Sequence, residues 1–244
     1  MQIGILEAGR PNPYLLPRHG SYPDMCTRLL GPAVPQLTTH SYAVLDDVFP
    51  ASPTDHDAWL ITGSRHSVYE NTPWMLRLQA FIRDIVNSDR RIVGICFGHQ
   101  IIAQALGGQV EKFSGGWGIG RQQYSLPPEQ RPDWITEAKI SLNLVHQDQV
   151  SVLPPGISYC AGNDFCPHAV FVYGDKAFSV QAHPEFLDDY LLDLLPYIDD
   201  GNLPSTERTA AADSMQRLPA AQGTTVAKWI AAFLQGSVRE TDTD

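Results

Sequence analysis

The first half of the chain alternates short apolar segments of strand length with segments of helical periodicity. Strands are predicted at residues 2–6, 42–48, 57–62 and 91–95. A helix is predicted over 75–87, where apolar residues recur at helical spacing: Leu78, Phe81, Ile82, Ile85 and Val86. A second helix is predicted from about His99 to Leu106, ended by Gly107-Gly108. This alternation predicts an α/β fold with a mostly parallel central sheet and helices on both faces.

The second half has shorter predicted strands, separated by glycine and proline clusters. These strands are predicted at 109–113, 119–126, 138–145, 169–173 and 177–182. The pattern predicts an antiparallel extension of the main sheet. Helices are predicted over 186–195 and about 224–235, whereas 203–222 is weakly patterned and is predicted to be a loop with a helical turn. We expect a single domain over 1–237 and a disordered tail over 238–244.

The composition narrows the function classes. The chain has 244 residues and a net charge of −10, which disfavours binding to the phosphate backbone of a nucleic acid. Its first residues lack the features of a signal peptide, and no apolar segment is long enough to span a membrane. We therefore expect a cytoplasmic protein that acts on a small soluble molecule.

The cysteine pattern does not indicate a metal or redox centre. No pair among Cys26, Cys96, Cys160 and Cys166 has CxxC spacing. A reducing compartment also argues against disulfides. Cys160 and Cys166 are interpreted as small buried hydrophobic residues, and we expect neither a metal nor a cofactor.

Cys96 is the candidate nucleophile. It lies in Gly94-Ile95-Cys96-Phe97-Gly98, between a predicted strand and a predicted helix. This is the thiol counterpart of the nucleophile elbow, a sharp turn that lifts the side chain above the sheet. The start of the following helix favours a thiolate, and the N–H of Phe97 would point towards an incoming carbonyl oxygen.

His183 is the candidate base and Glu185 its orienting carboxylate. His183 ends an alternating strand, and residues two apart in an extended segment point to the same side. Pro184 also biases His183 towards an extended backbone. A carboxylate beside the imidazole holds its tautomer and stabilises the imidazolium. His99 is predicted to be packed inside the fold, while His66, His146 and His168 are secondary candidates for substrate contact or structure.

Two segments carry a resemblance to a known family. They are Gly94-Ile95-Cys96-Phe97-Gly98-His99-Gln100, followed by Ala103 and Leu106-Gly107-Gly108, and His183-Pro184-Glu185. In this order and separation they resemble the class I glutamine amidotransferases, in particular the glutaminase domain of GMP synthetase and its stand-alone relatives. The resemblance covers roughly residues 40–195 and implies a flavodoxin-like fold with a Cys-His-Glu triad.

The resemblance also implies a reaction and further site residues. Cys96 would attack the side-chain amide of glutamine, release ammonia and form a glutamyl thioester, which water activated by His183 would hydrolyse. The N–H groups of Gly63 and Phe97 would form the oxyanion hole. Gln100 matches a position that contacts the bound glutamine, and His146 lies in a segment similar to the family's His-x-Asp.

The chain departs from the family pattern in three places. It has Thr62-Gly63-Ser64 where relatives often have Gly-Gly-Pro, although the glycine is kept. Relatives carry a stretch like Lys-Glu-Ile-Gly-Trp where this chain reads Gly116-Trp117-Gly118-Ile119-Gly120. No synthetase domain follows, so we expect an ammonia-accepting synthetase to be a separate subunit or to be absent.

Three functions stay open at this point. The first is a glutaminase or amidotransferase subunit, and the second is a γ-glutamyl peptidase or hydrolase that acts on γ-glutamyl peptides or amines. The two differ only in the group that leaves when Cys96 attacks. The third is a non-catalytic regulatory binding module, which the intact set of Cys96, His183 and Glu185 argues against.

Overall fold

The computed structural model describes residues 1–236. Its strands are β1 (Gln2–Leu6), β2 (Thr38–Tyr42), β3 (Ala58–Ile61), β4 (Arg91–Ile95), β5 (Gln109–Lys112), β6 (Gly118–Ser125), β7 (Lys139–His146), β8 (Asp148–Val152), β9 (Tyr159–Ala161), β10 (Val170–Tyr173) and β11 (Ala177–Val180). Its α-helices are α1 (Leu16–His19), α2 (Tyr22–Leu30), α3 (Pro73–Asn87), α4 (Phe97–Ala105), α5 (Asp188–Leu194), α6 (Ser205–Arg217) and α7 (Gly223–Gln235). Short 3-10 helices lie at Val44–Asp46, Val68–Glu70 and Leu195–Gly201.

The central sheet has seven strands in the order β2-β1-β3-β4-β11-β10-β9. The pairs from β2 to β11 are parallel, whereas β10 pairs antiparallel with both β11 and β9. Two further antiparallel pairs, β5 with β8 and β6 with β7, lie outside this sheet. The predicted fold class is therefore confirmed: a mostly parallel sheet with an antiparallel extension.

Alternation along the parallel strands sends side chains into two separate cores. In β3, Leu60 packs in the core that holds residues of α2 and α7, while Ile61 packs with residues of α3 and α4. In β4, Val93 and Ile92 divide in the same way. Successive strand residues point to opposite faces, so a strand apolar throughout must be covered on both sides. Helices accordingly lie on both faces of the sheet.

Two predicted elements are wrong. The strand predicted at 42–48 lies earlier, at Thr38–Tyr42, and a 3-10 helix follows at Val44–Asp46. This strand is at the edge of the sheet and exposes most of its polar residues, so it lacks the apolar signal of a central strand. Residues 203–222 contain the thirteen-residue helix α6, of which only Ala211 and Met215 are buried. Two buried residues give too narrow an apolar stripe to indicate a helix from sequence.

Several elements were not predicted. Helix α2 begins with a capping box formed by Ser21 and Asp24, and the short strands β8 and β9 complete the antiparallel pairings. Helix α4 begins at Phe97 rather than His99, and α5 begins at Asp188 rather than Phe186. The predicted tail over 238–244 lies outside the described residues. Within residues 1–236, no helix combines the length and apolar character that crossing a bilayer requires.

Candidate active site

Cys96 lies between the end of β4 and the start of α4, with a backbone conformation that residues other than glycine rarely adopt. Its φ is 53° and its ψ is −103°. The turn is held by two main-chain hydrogen bonds: Cys96 N donates to Val180 O at 2.9 Å, and Gln100 N donates to Cys96 O at 3.1 Å. Backbone in such sparsely populated regions costs about 1–3 kcal/mol and persists where the surroundings enforce it. The predicted nucleophile is therefore in a strained turn.

The two glycines of this turn allow close backbone contact. A Cβ placed on Gly94 would lie 2.5 Å from the backbone C and O of Gly98, and one on Gly98 would lie 2.4 Å from Ile61 O. Neither position has space for a methyl group, because real Cβ contacts are longer. The turn thus packs its own two ends together and rests on β3.

Substituting Gly94→Ala should therefore destabilise the fold. We expect a loss of about 1–3 kcal/mol in the free energy of unfolding, the usual cost of overpacking a core. The measurement is chemical denaturation followed by circular dichroism. Gly31→Ala is the matched control, since its Cβ would meet only Thr27 O, at 3.3 Å. Equal stability of the two variants would contradict this account of the turn.

His183 and Glu185 lie side by side, as predicted, but in a turn rather than in extended backbone, since Phe186 N donates to His183 O at 3.3 Å. His183 Nδ1 is 2.7 Å from Glu185 Oε1, and both side chains are buried. The imidazole stacks on the Phe186 ring with centroids 3.8 Å apart and planes 5° apart. His183 N donates to Asn143 O at 2.8 Å. The ring is thus fixed on one edge by a carboxylate and on one face by an aromatic ring.

The charge state of His183 is determined by opposing effects. Burial is the largest single effect and lowers the pKa, but the charges of Glu185 and Cys96, with a side-chain hydrogen bond to each, outweigh it. The net result raises the pKa of His183 to about 10. At neutral pH the imidazole therefore carries a proton, held between the Glu185 carboxylate and the Cys96 sulfur.

Gly63 lies against both predicted catalytic side chains. A Cβ at Gly63 would be 2.8 Å from His183 Cε1 and 3.8 Å from Cys96 Cβ. Gly63 follows β3, and Thr62 N donates to Leu6 O at 3.2 Å, which fixes the start of this loop. Phe97 is the first residue of α4, where helix N–H groups have no acceptor within the helix. Gly63 and Phe97 thus adjoin Cys96 from two different strand ends.

Gln100 and His146 line the same cavity as Cys96 and His183. Gln100 Nε2 donates to Asp148 O at 2.8 Å and to Gln181 Oε1 at 3.0 Å. His146 Nδ1 lies 3.2 Å from the same carbonyl, and its buried Nε2 has no partner among the described residues. Burial, followed by smaller effects, lowers the pKa of His146 to about 4, so its imidazole is neutral.

The cavity has a volume of about 430 Å³. It lies beyond the carboxyl ends of the parallel strands, the usual place for a ligand site in an open α/β sheet. Its walls include His66, which was a secondary candidate from the sequence. His99 and His168 do not line it: His99 is buried with Nδ1 2.9 Å from Ser179 Oγ, as its predicted packing role requires.

The family follows from the comparison with protein-family models. Residues 30–189 match the model for glutamine amidotransferase class-I. This chain belongs to the class I glutamine amidotransferase family. The match contains both the Cys96 turn and the His183–Glu185 segment, so the resemblance read from those motifs is confirmed.

Relatives of this amidotransferase-family chain include proteins named as glutamine amidotransferases and others named as γ-glutamyl peptidases. It is 29% identical over 201 residues to a glutamine amidotransferase-like protein of Schizosaccharomyces pombe, covering 75% of this chain and 79% of that protein. It is 29% identical over 184 residues to γ-glutamyl peptidase 4 of Arabidopsis thaliana, covering 72% of each. A glutamine amidotransferase structure from Thermotoga maritima superposes with a TM-score of 0.68 at 15% identity, covering 96% of this chain and 99% of that one. The last likeness shows a shared fold.

Part of the cavity wall of this amidotransferase-family chain was not predicted. The loop after β1 contributes Arg10 and Asn12, α2 contributes Tyr22, and the segment after α5 contributes Tyr197. These residues have no motif of their own. The parallel arrangement could have indicated the first loop, because segments that follow adjacent parallel strands meet at one edge of the sheet.

The other cysteines of this amidotransferase-family chain lie apart from the cavity. Cys160 Sγ is 3.3 Å from His168 Nδ1, and Cys166 is buried. Burial, the main cause in each case, raises the pKa of Cys160 to about 11 and that of Cys166 to about 12, so both stay protonated at neutral pH. Within residues 1–236, no three His, Cys, Asp or Glu side chains are grouped to hold a metal ion.

Proposed function

We propose that this chain hydrolyses γ-glutamyl amide bonds by nucleophilic catalysis at Cys96. One observation carries the proposal: a buried His183 imidazole is held by the Glu185 carboxylate at 2.7 Å and lines the same cavity as Cys96. A nucleophile, a base and a carboxylate that orients the base are the parts that covalent acyl transfer needs. A reducing compartment such as the cytoplasm would keep the Cys96 thiol free.

The proposed reaction has two stages. The Cys96 thiolate attacks the γ-carbonyl carbon, and the His183 imidazolium gives its proton to the leaving nitrogen as the C–N bond breaks. The product of this stage is a glutamyl thioester and a free amine or ammonia. His183 then takes a proton from water as the water oxygen attacks the thioester carbon. The C–S bond breaks, glutamate leaves, and the thiolate–imidazolium pair is restored.

The N–H groups of Gly63 and Phe97 are proposed to bind the oxyanion in both stages. The supporting observation is the position of Gly63, whose Cβ would lie 2.8 Å from His183 and 3.8 Å from Cys96 Cβ. Phe97 N begins helix α4, so the positive end of the helix dipole also faces the sulfur. Removing one such donor typically costs about 2.7–4 kcal/mol of transition-state stabilisation.

Gln100 and His146 are proposed to bind the α-amino end of the γ-glutamyl group. Both N–H groups of the Gln100 amide are used by Asp148 O and Gln181 Oε1, which leaves Gln100 Oε1 as an acceptor. His146 Nδ1 faces a carbonyl, so Nδ1 carries the proton and Nε2 is also an acceptor. Acceptors suit an ammonium group, and a neutral His146 does not repel it.

Two leaving groups fit the proposed chemistry. With glutamine as substrate the leaving group is ammonia, and a separate ammonia-accepting synthetase would be the partner. With a γ-glutamyl peptide or amine, the leaving group is larger. The cavity of about 430 Å³ favours the second, since sites of roughly 300–1,000 Å³ enclose molecules well above the size of one amino acid. The similarity to a γ-glutamyl peptidase supports the same choice.

A substrate panel with the purified chain tests both candidates. Glutamine, γ-glutamyl dipeptides and a γ-glutamyl arylamide are incubated separately, and glutamate, ammonia and free amine are measured. The α-glutamyl dipeptide of the same composition is the matched control and should not be cleaved. Turnover of γ-glutamyl peptides without turnover of glutamine selects the peptidase. Glutamine turnover selects the glutaminase, and cleavage of neither γ-glutamyl class would contradict the proposal.

A further inference from the structure

The Cys96 sulfur has a polar neighbour besides His183. Gln181 Nε2 lies 3.7 Å from Cys96 Sγ, within the range of a hydrogen bond to sulfur, and the Gln181 side chain is fully buried. The sheet explains this position. Strands β4 and β11 are parallel, with Ile95 opposite Val180, so the next residues along each strand, Cys96 and Gln181, are neighbours at the strand ends.

Gln181 and His183 both lie beside Cys96. The two residues directly follow β11, which ends at Val180, and the side chain of each interacts with that of Cys96. Main-chain hydrogen bonds fix the backbone at both residues, because Gln181 N donates to Ala169 O at 2.7 Å and His183 N donates to Asn143 O at 2.8 Å. One strand end therefore presents both an imidazole and an amide to the sulfur.

The orientation of the Gln181 amide follows from its partners. Asp148 O, a main-chain carbonyl, can only accept, so it requires the NH2 group of Gln100 at 2.8 Å. The same NH2 group lies 3.0 Å from Gln181 and requires an acceptor there, which is Gln181 Oε1. The remaining end of the Gln181 amide is then the donor Nε2, and it faces the sulfur. The Asp148 carbonyl thus fixes the orientation of the Gln100 amide. That amide in turn fixes the Gln181 amide with its N–H directed at the Cys96 sulfur.

We propose that Gln181 is a further catalytic residue, whose Nε2–H binds the Cys96 sulfur and stabilises it as a thiolate, and that Gln100 is a positioning residue that holds the Gln181 amide. The inference rests on the proposed function, because it concerns the same thiolate. A hydrogen bond to the charged form of a group favours that form. The donor acts twice: it increases the thiolate fraction before attack, and it stabilises the sulfur as it leaves during thioester hydrolysis.

Loss of the Gln181 donor should change the pH profile of Cys96 alkylation in a way that a general loss of fold stability would not. Without the donor, less thiolate is present at low pH, but the thiolate that does form is a better nucleophile, since nucleophilicity falls as a thiol becomes more acidic. Gln181→Met should therefore slow alkylation of Cys96 by iodoacetamide at low pH and move the midpoint of the pH profile upward. At high pH, the rate should equal or exceed that of the wild type.

The experiment measures alkylation of Cys96 as a function of pH by peptide mass spectrometry. For Gln181→Met we expect about a tenfold lower rate on the acid side, in line with the loss of one hydrogen bond to a charged group. Gln100→Leu should reproduce the direction of this shift with a smaller size. Gln79→Met, which replaces a buried glutamine of α3, is the matched control and should leave the profile unchanged. Gln181→Asn, too short for its N–H to reach the sulfur, replaces Gln181→Met if that variant does not fold.

The outcomes separate this inference from the proposed function. Iodoacetamide needs no substrate site, so a shifted profile supports the inference even if no γ-glutamyl compound is turned over. A Gln181→Met profile identical to that of the wild type would overturn it. A Gln100→Leu variant with a raised KM and an unchanged alkylation profile would overturn the positioning role of Gln100, leaving that residue as a substrate contact.

Discussion

Replacing Cys96 with alanine is expected to abolish turnover of every γ-glutamyl substrate, with a loss of about 10⁴- to 10⁶-fold in kcat. The sulfur is the atom that would form the thioester, and water alone would then have to attack the amide. The other three cysteines do not line the cavity, so none can substitute. Release of glutamate from the substrate selected by the panel is the measurement, with circular dichroism to show that the fold is kept.

Cys160→Ala and Cys96→Gly are the control and comparison variants for Cys96→Ala. Cys160→Ala removes a partly exposed thiol that lies outside the cavity, and it should keep full activity. Cys96→Gly should be as inactive as Cys96→Ala but more stable, by about 1–3 kcal/mol, because glycine tolerates a φ of 53° and alanine does not. Persistent turnover in Cys96→Ala would refute the nucleophile. Equal stability of the alanine and glycine variants would refute the strain at the turn.

The core of the site was predictable because its geometry is local. The turn around Cys96 is defined by five consecutive residues. The side-by-side placement of His183 and Glu185 is also local, although the backbone between them is a hydrogen-bonded turn and not the extended segment that the prediction assumed. Gly63 was assigned only through the family resemblance. Its contact with His183 joins residues that are far apart in sequence, and no local pattern reports such a contact.

The parts that sequence reasoning missed depend on tertiary contacts. The Gln181 side chain is adjacent to Cys96 because β11 pairs with β4, and its amide orientation depends on Asp148 O. Helix α6 forms against β6 with only two buried side chains, and the Ser214 hydroxyl accepts from Arg121 N at 2.8 Å. Such elements are stabilised by their partners more than by their own periodicity. The apolar pattern of the chain therefore predicts the central strands and the long helices better than the elements packed around them.

The second large effect is expected for Glu185→Gln, which should lower kcat by about 10³- to 10⁴-fold, the scale seen when a triad loses its carboxylate. An amide can present its NH2 group to His183 Nδ1 and select the wrong tautomer. The Glu185 charge is also the leading influence that raises the pKa of His183 against the effect of burial. Without that charge, the pKa of His183 falls.

The raised pKa of His183 also predicts how the activity of the wild type and of Glu185→Gln depends on pH. In the wild type, the imidazolium persists until the pH rises through about 10, so activity should hold into the alkaline range and then fall. In Glu185→Gln, the fall of the residual activity with rising pH should begin at a lower pH than in the wild type.

The pH dependence of stability should change in parallel. A raised His183 pKa stabilises the fold fully below the ordinary value of 6.5, and this contribution is lost as the pH rises through about 10. Unfolding measured across that range should therefore depend less on pH in Glu185→Gln. Glu137→Gln, which changes a carboxylate that accepts a hydrogen bond from Trp229 Nε1, is the control. If activity falls at the same alkaline pH in Glu185→Gln and in the wild type, Glu185 is excluded as the partner of the imidazolium.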